Sequence, residues 1–329
     1  MTGALTFTAF WEDDPGPQWQ SLFERHWPHY RAWFLKEGER ARASYAESLK
    51  MLSEHMPELV PVYERLCELA GGGDLEARLL SMWRPPPYLS GCSQAVWTRG
   101  EPMLVRNYDY APDRIEGAIL GTGWEGRRII GVSDFLWGLL DGVNDAGLAV
   151  SLAFGGRRVV GRGFGVPLVL RYLLQTCETV AEARGVLERL PYHLAHTITL
   201  LDRTGAFVTA YVSPDRGVAF RDVAVATNHQ EDVEWLEHAW ASRSLEREHL
   251  IAVALDESPD PQGFAGAFLQ PPVYSLDYAH AMGTLYTAVY KPRHGSVEYR
   301  WPGLRWEHSF GHFREGTRNV SLLRTAHVA

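Results

Sequence analysis

Apolar and aromatic residues recur every three or four positions from residue 17 to about 70: Trp19, Leu22, Phe23, Trp27 and Tyr30, then Leu49, Leu52 and Met56. That spacing predicts helices with one buried stripe. The glycines of "AGGGD" (70–74) end the region, a short helix "DLEARLLSMW" follows, and "RPPP" stops it. From Ser93 the pattern changes. Short β-rich runs alternate with turns: "QAVWT", the pair Arg99-Gly100, "MLVRNYDY", "RRIIGV" and "GLAVSLAF". Two helices come next, "FGVPLVLRYLLQTC" and "TVAEARGVLERL". The first is apolar nearly all round, which predicts burial between layers. Strands return in "HTITLLD", "AFVTAYVS" and "VAVAT"; residues 231–255 predict one long helix, and "GTLYTAVYKPRHGSVEYRW" a hairpin. Grouped helices and antiparallel strands of this kind predict an α+β layered architecture.

Composition narrows the function. The 329 residues, 46% apolar and 22% charged, suffice to bury an ordinary core as one large domain or two small ones. A net charge of -8 without any Lys/Arg-rich run excludes a nucleic-acid phosphate track. The first basic residue is Arg25, after acids beginning at Glu12, so the start of the chain does not read as a signal peptide. The longest apolar region, Ile129 to Phe154, is broken by Asp134, Asp141 and Asp145, and no segment reads as a bilayer span or a membrane partner. The expected compartment is the cytoplasm. The twelve tryptophans and fourteen tyrosines suit a core, and surplus aromatics leave room for a homo-oligomer.

Several motif-like patterns carry little. "GTGWEG" (121–126) fits a dinucleotide fingerprint but leads into the β-branched run "RRIIGV", not a helix, and reads as a glycine-rich loop. His26 and His29, and His193 and His196, are pairs with no third ligand at a metal-site spacing, so neither a metal nor a cofactor is expected. The three cysteines, Cys67, Cys92 and Cys177, are too few and too far apart for a disulfide framework. Cys67 and Cys177 sit inside helical patterns and read as small buried hydrophobes.

Cys92 is different. It follows Gly91 and opens a strand, and Arg106 and Asp109 come on the run after Arg99-Gly100. A hairpin turning there brings Arg106 and Asp109 back beside the cysteine. A thiol needs a base or a positive neighbour to act as a nucleophile at neutral pH. His193, His196 and His229 are histidines available for that role, though none stands in a cysteine-protease context. The alternative base is the cysteine's own α-amine, whose pKa is near ~8 when free. That alternative requires cleavage between Gly91 and Cys92.

Four segments in order extend the pattern: "GCS", "VRNYD", "DGVNDAGLAVS" (141–151) and "ATNHQ" (226–230), followed by a helix with Arg243 and Arg247. Together they resemble the N-terminal-nucleophile hydrolases of the choloylglycine hydrolase and penicillin V acylase group, and within it the acyl-CoA:isopenicillin N acyltransferase-like branch. The resemblance runs from Gly91 to about Arg300. It implies a four-layer α-β-β-α sandwich of two antiparallel sheets. It implies a helical pro-segment or small subunit at 1–91 and a catalytic domain at 92–329. It also implies site residues: Cys92 as nucleophile freed at the Gly91–Cys92 junction, Arg106 and Asp109 beside it, Asn144 and Asn228 around an oxyanion hole, and Arg247 or Arg243 as the last position. The substrate implied is a small-molecule acyl amide or thioester, with water or an amine as acceptor. Two rival readings stand beside this one: a peptidase-like relative on the same fold, and an uncleaved ligand-binding protein that is not an enzyme.

Overall fold

The computed structural model describes residues 4–322. Its strands are β1 (Ala4–Glu12), β2 (Gly91–Trp97), β3 (Met103–Tyr110), β4 (Ala118–Thr122), β5 (Ile129–Asp134), β6 (Gly138–Asn144), β7 (Leu148–Phe154), β8 (His196–Asp202), β9 (Phe207–Ser213), β10 (Arg216–Arg221), β11 (Val225–Ala226), β12 (Gly283–Lys291), β13 (Ser296–Trp301), β14 (Leu304–Ser309) and β15 (Gly316–Ser321). Its α-helices are α1 (Pro17–Phe34), α2 (Tyr45–His55), α3 (Val60–Leu69), α4 (Asp74–Leu80), α5 (Val166–Thr176), α6 (Val180–Arg189), α7 (Leu236–Ala241), α8 (Ser244–Glu257) and α9 (Pro261–Ala267). A nine-stranded sheet runs in the order β10-β9-β8-β7-β6-β5-β4-β1-β15, and a six-stranded sheet in the order β11-β2-β3-β12-β13-β14. Among the strands of the described residues only β1 and β4 pair in parallel; an isolated parallel bridge also joins Phe164 and Tyr192.

Three apolar layers bind four layers of structure. Trp19, Leu22, Leu52, Leu66 and Leu80 of the N-terminal helices join Leu168 and Leu173 of α5 over one face of the nine-stranded sheet, against Leu120, Trp137 and Leu152. Phe7, Ile130, Val132 and Val143 meet Val96, Tyr108, Leu285 and Tyr286 between the sheets. Ile251, Phe264 and Phe268 cover Trp97, Val105 and Val289 on the far face of the six-stranded sheet. The fold is an α+β four-layer α-β-β-α sandwich. No helix among the described residues is long and apolar enough to cross a membrane.

The helical periodicity of the N-terminal region corresponds to α1–α4, and α5 is buried around its whole circumference from Val166 to Gln175. Three elements depart from the sequence pattern. The first is β1, where the pattern predicts no strand. Its residues alternate in burial and it inserts between β4 and β15, so the expected pro-segment contributes a strand to the nine-stranded sheet. The end of β1 also caps α1. The Glu12 carboxylate accepts from the backbone N–H groups of Gln18 (2.7 Å), Trp19 (3.2 Å) and Gly16 (3.3 Å), which a helix start otherwise leaves unpaired.

Second, the single helix expected over 231–255 is broken into α7 and α8 by Arg243, which has a φ of +52°. The break lets the start of α8 dock on the chain after β11: Ser244 Oγ accepts from the Asn228 N–H at 2.9 Å. Third, the strand expected in "VAVAT" shrinks to Val225–Ala226, because the chain turns off there to deliver Thr227 and Asn228.

Candidate active site

The β2–β3 hairpin turns through Gly100, whose φ of +85° is open to glycine at little cost. Its register sets Cys92 opposite Tyr108, Gln94 opposite Arg106, and Gly91 opposite Asp109. Side chains alternate along a strand, so Cys92, Tyr108 and Arg106 share one face and Gly91, Ser93 and Asp109 the other. A side chain at Gly91 would be tight. A Cβ there would lie 3.0 Å from Asp109 Cβ and 3.2 Å from Met282 Sδ.

On the first face, between the two sheets, Arg106 Nη2 points at Cys92 Sγ at 3.3 Å. The rest of the guanidinium is held on three sides. Nε donates to the Leu152 carbonyl (3.1 Å) and Nη1 to Tyr286 Oη (2.8 Å) and the Asp141 carboxylate. Asp141 also accepts from Tyr286 Oη at 2.6 Å and from Tyr290 Oη. Burial pushes the Cys92 thiol pKa up; Arg106 pulls it down and Asp109 pushes it up again, with the net shift upward. The thiol is therefore protonated at neutral pH in the intact chain. Burial works against the charge on Arg106, but its net shift is upward, and the ion pair with the Asp141 carboxylate keeps the group cationic.

On the second face Arg247 organises the backbone. Its Nη1 donates to the Cys92 carbonyl (2.7 Å), Ser93 Oγ (2.6 Å) and Asp109 Oδ2 (3.0 Å), and its Nη2 to Asn228 Oδ1 (2.6 Å). Asn228 Oδ1 in turn accepts the Cys92 backbone N–H at 2.9 Å. Asn228 Nδ2 donates to the carbonyls of Ser90 and Phe154, each at 3.3 Å. The second oxygen of Asp109 accepts from Thr284 Oγ1 at 2.6 Å. Burial raises the Asp109 pKa, with Arg247 and Thr284 opposing it.

Cys92, Arg106, Asp109, Asn228 and Arg247 thus converge, on the two faces of one strand pair. Arg243 does not join them. Its guanidinium pairs with Glu246 at the surface. Asn144 does not join them either, which corrects its expected place near an oxyanion hole. Its Nδ2 donates to the carbonyls of Leu174 (2.9 Å) and Cys177 (2.7 Å) at the end of α5, and its Oδ1 accepts the Leu148 N–H (2.9 Å). It is a turn and helix-end residue. What the "DGVNDAGLAVS" stretch and its strand do bring to the site is Asp141 and the carbonyls of Leu152 and Phe154. Of the histidines weighed as bases, His229 bonds Ser244 Oγ (2.8 Å) and His193 bonds the Gly161 carbonyl (2.7 Å); neither bonds Cys92.

Asp141, Tyr286 and Tyr290 were missed from sequence. Tyr286 and Tyr290 are four apart on β12 and so share a face, which was a visible signal. Nothing in the sequence linked that face to Arg106.

A cavity of about 530 Å³ is bordered by Ser90, Tyr108, Leu140 and Leu152 and, toward α1, by Tyr30, Trp33 and Asp134; Ser90, whose Oγ lies 3.8 Å from Cys92 Sγ, and Tyr108, opposite Cys92 in the register, separate it from the buried thiol. A second, of about 450 Å³, lies on the opposite face against Asp109, Arg247 and Met282.

The site is thus a strand-opening buried thiol between the two sheets, ringed by arginine, aspartate and asparagine. The sequence model of the acyl-coenzyme A:6-aminopenicillanic acid acyl-transferase family matches residues 97–306. The chain belongs to this family, within the N-terminal-nucleophile hydrolase superfamily, and so among enzymes that hydrolyse or transfer acyl groups at amide bonds. The match begins after Cys92 and includes Arg106, Asp109, Asn228 and Arg247. No curated protein matches the sequence. Solved structures similar to it include penicillin V acylase from Agrobacterium tumefaciens (15% identity, 72% of this chain and 94% of that one, TM-score 0.49). A mutant of conjugated bile acid hydrolase from Clostridium perfringens is also similar (11%, 71% and 98%, TM-score 0.48). So is the Caenorhabditis elegans ortholog of N-acylethanolamine-hydrolyzing acid amidase (16%, 70% and 99%, TM-score 0.46).

Proposed function

We propose that the chain cuts its own Gly91–Cys92 bond and then works as a cysteine amidohydrolase or acyltransferase on linear amides of acylated small molecules. The observation that carries this reading is the setting of Cys92: its sulfur lies 3.3 Å from Arg106 Nη2 while its own backbone N–H is held by Asn228 Oδ1 at 2.9 Å. A structural cysteine needs neither. In the cut, Sγ attacks the Gly91 carbonyl carbon, the Cys92 nitrogen leaves with the thiol proton, and water hydrolyses the resulting thioester. Residues 1–91 then form a small subunit and 92–329 the catalytic one.

The freed α-amine, with a pKa near ~8, is the base for the second reaction. Asn228 Oδ1 orients it, in the place it already holds the amide N–H. Asp109 acts through Arg247, which ties Cys92, Ser93 and Asn228 together. Release of Ser90 leaves Asn228 Nδ2 short of one acceptor. That N–H is free to stabilise the oxygen of a substrate carbonyl, a contribution of roughly 3 kcal/mol to the barrier. The acyl group passes to Sγ, the amine leaves with a proton, and water or a second amine takes the acyl group. Free, widely spaced thiols suit a reducing compartment, and we place the enzyme in the cytoplasm.

The test is an acyl-enzyme trap. Wild type is mixed with a panel of acyl p-nitroanilides, acid-quenched and weighed. A fragment starting at Cys92 that carries one acyl group supports the reading. Release of p-nitroaniline with acylation at Cys67 or Cys177 refutes it. Tight binding with no release by an uncut chain favours a ligand-binding protein.

A further inference from the structure

We infer that the amine half of the substrate carries an uncharged apolar chain or ring, and that this part lies in a groove running from Met282 to Trp240 on the face opposite the thiol. The inference rests on the function proposed above and adds the chemistry of the amine. Pro87, Tyr88, Leu89 and Ser90 line the cavity of about 530 Å³. Gly91, next in the chain, turns its open side the other way, where a Cβ would lie 3.0 Å from Asp109 Cβ and 3.2 Å from Met282 Sδ. Asp109 and Met282 border the cavity of about 450 Å³. Ser90 and Gly91 thus stand between the two cavities. Once the bond to the Cys92 nitrogen is cut they can withdraw, and a substrate amide then lies across the gap with one half on each side.

The cut itself decides which half goes where. The group that first bonds to Sγ is the Gly91 acyl, with Ser90, Leu89 and Tyr88 behind it along the first cavity. A substrate acyl group bonded to the same sulfur takes the same path. The amine half is left the side of Asp109, Arg247 and Met282. The cavity there shares Ala241, Arg243, Asp277 and Met282 with a larger one of about 950 Å³. On the larger one stand Leu236, Trp240 and Leu245, which are 71%, 84% and 54% exposed. Leu236 and Trp240 are four apart on α7 and share a face. Large apolar side chains grouped at this exposure mark a binding surface. Arg243 pairs with Glu246 (2.6 Å), His280 bonds Asp277 (2.7 Å) and Arg247 pairs with Asp109 (3.0 Å). Each acid bordering these two cavities therefore has a base beside it, and nothing there favours an ionised ligand. All of these residues lie beyond the proposed cut and stay with the catalytic subunit.

The test compares N-methyl, N-butyl and N-octyl phenylacetamide on processed wild type, with the released amine measured by mass spectrometry. The three amines are equally basic, so they leave equally well and differ only in what they bury. From methyl to octyl kcat/KM should rise by about 10-fold or more. Trp240→Ser and Leu236→Ser, at exposed positions, should each bring the octyl-to-methyl ratio toward one. A chain length without effect in wild type, or a ratio unmoved in both variants, overturns the inference. So does a Trp240→Ser change that dissociates an oligomer and leaves the ratio alone, which assigns the patch to a second copy of the chain. The isomers N-octylacetamide and N-methylnonanamide carry one chain on nitrogen or on the carbonyl; if Trp240→Ser slows only the second, the groove holds the acyl half and the inference falls. Calorimetric titration of the uncut Cys92→Ala chain with N-octylacetamide and N-methylacetamide tests it without catalysis. Tighter binding of the octyl compound by about 10-fold or more, lost in the added Trp240→Ser change, supports it even where no amide is turned over, an outcome that sinks the catalytic reading alone. Equal binding of the two amides overturns it.

Discussion

Two buried arginine–aspartate pairs lie on opposite faces of the β2–β3 pair, and they do different things. Arg106 and Asp141 are both 0% exposed; Arg247 and Asp109 are 2% and 3% exposed. Pairs this dry rarely stabilise a fold more than apolar residues of the same size would. Their value lies in what the remaining donors reach. Arg106 turns one N–H onto the Cys92 sulfur and is fixed by Asp141, Tyr286 and the Leu152 carbonyl, so it acts on the thiol's charge. Arg247 turns its N–H groups onto a carbonyl, a hydroxyl and an amide oxygen, so it acts on the position of the backbone around the proposed cut. In the proposed reaction one face would tune the thiol and the other would hold the bond to be cut and the amine it frees.

Substitutions can break that division. The largest effect falls on the group both faces serve: Cys92→Ser should lose turnover by about 100-fold or more, measured as kcat on the best acyl p-nitroanilide. Arg247→Met comes next. It leaves Asp109 buried without its cation, and chemical denaturation should show a loss of about 3–5 kcal/mol together with failed cleavage. A stable Arg247→Met chain that cleaves normally would remove the positioning role.

Arg106→Gln should spare the backbone and alter the thiol. The arginine lowers the Cys92 pKa, so its loss raises it. The pH profile of iodoacetamide labelling in the processed enzyme should move to higher pH, and for every pH unit it moves the thiolate at pH 7 falls about tenfold. An unmoved profile would contradict the assignment. The smallest catalytic effect belongs to Asn144→Ala. Unpairing the end of α5 and the Leu148 N–H should cost about 1–3 kcal/mol of stability, with kcat/KM within about twofold of wild type. A large fall in kcat at unchanged stability would return Asn144 to the site.

Much of the arrangement was legible in the sequence. The hairpin through Arg99-Gly100 follows from two strand-like runs around a turn, and it is enough to bring Arg106 to Cys92. It does not say on which face each residue lies. That depends on the register: Tyr108, not Arg106 or Asp109, stands opposite the cysteine. Asn228 was marked only by its place in an ordered set of segments, and its contact with the Cys92 N–H depends on the chain leaving β11 early. Asn144 misled because an asparagine before a glycine-containing turn looks alike whether it caps a helix or faces a substrate. Strand β1 was overlooked because its nine residues lie ahead of a strongly helical stretch and pair with β4 and β15, far away in sequence. Local periodicity carries no record of such partners.

The central claim is that Cys92 becomes an N-terminus by its own action. Purified wild-type protein and the Cys92→Ala variant, incubated separately under the same conditions, are compared by intact mass and N-terminal sequencing. The account predicts two wild-type pieces, one ending at Gly91 and one beginning with Cys92, and a single uncut Cys92→Ala chain. A wild-type chain that stays whole, or a Cys92→Ala chain cut at the same bond, would contradict it.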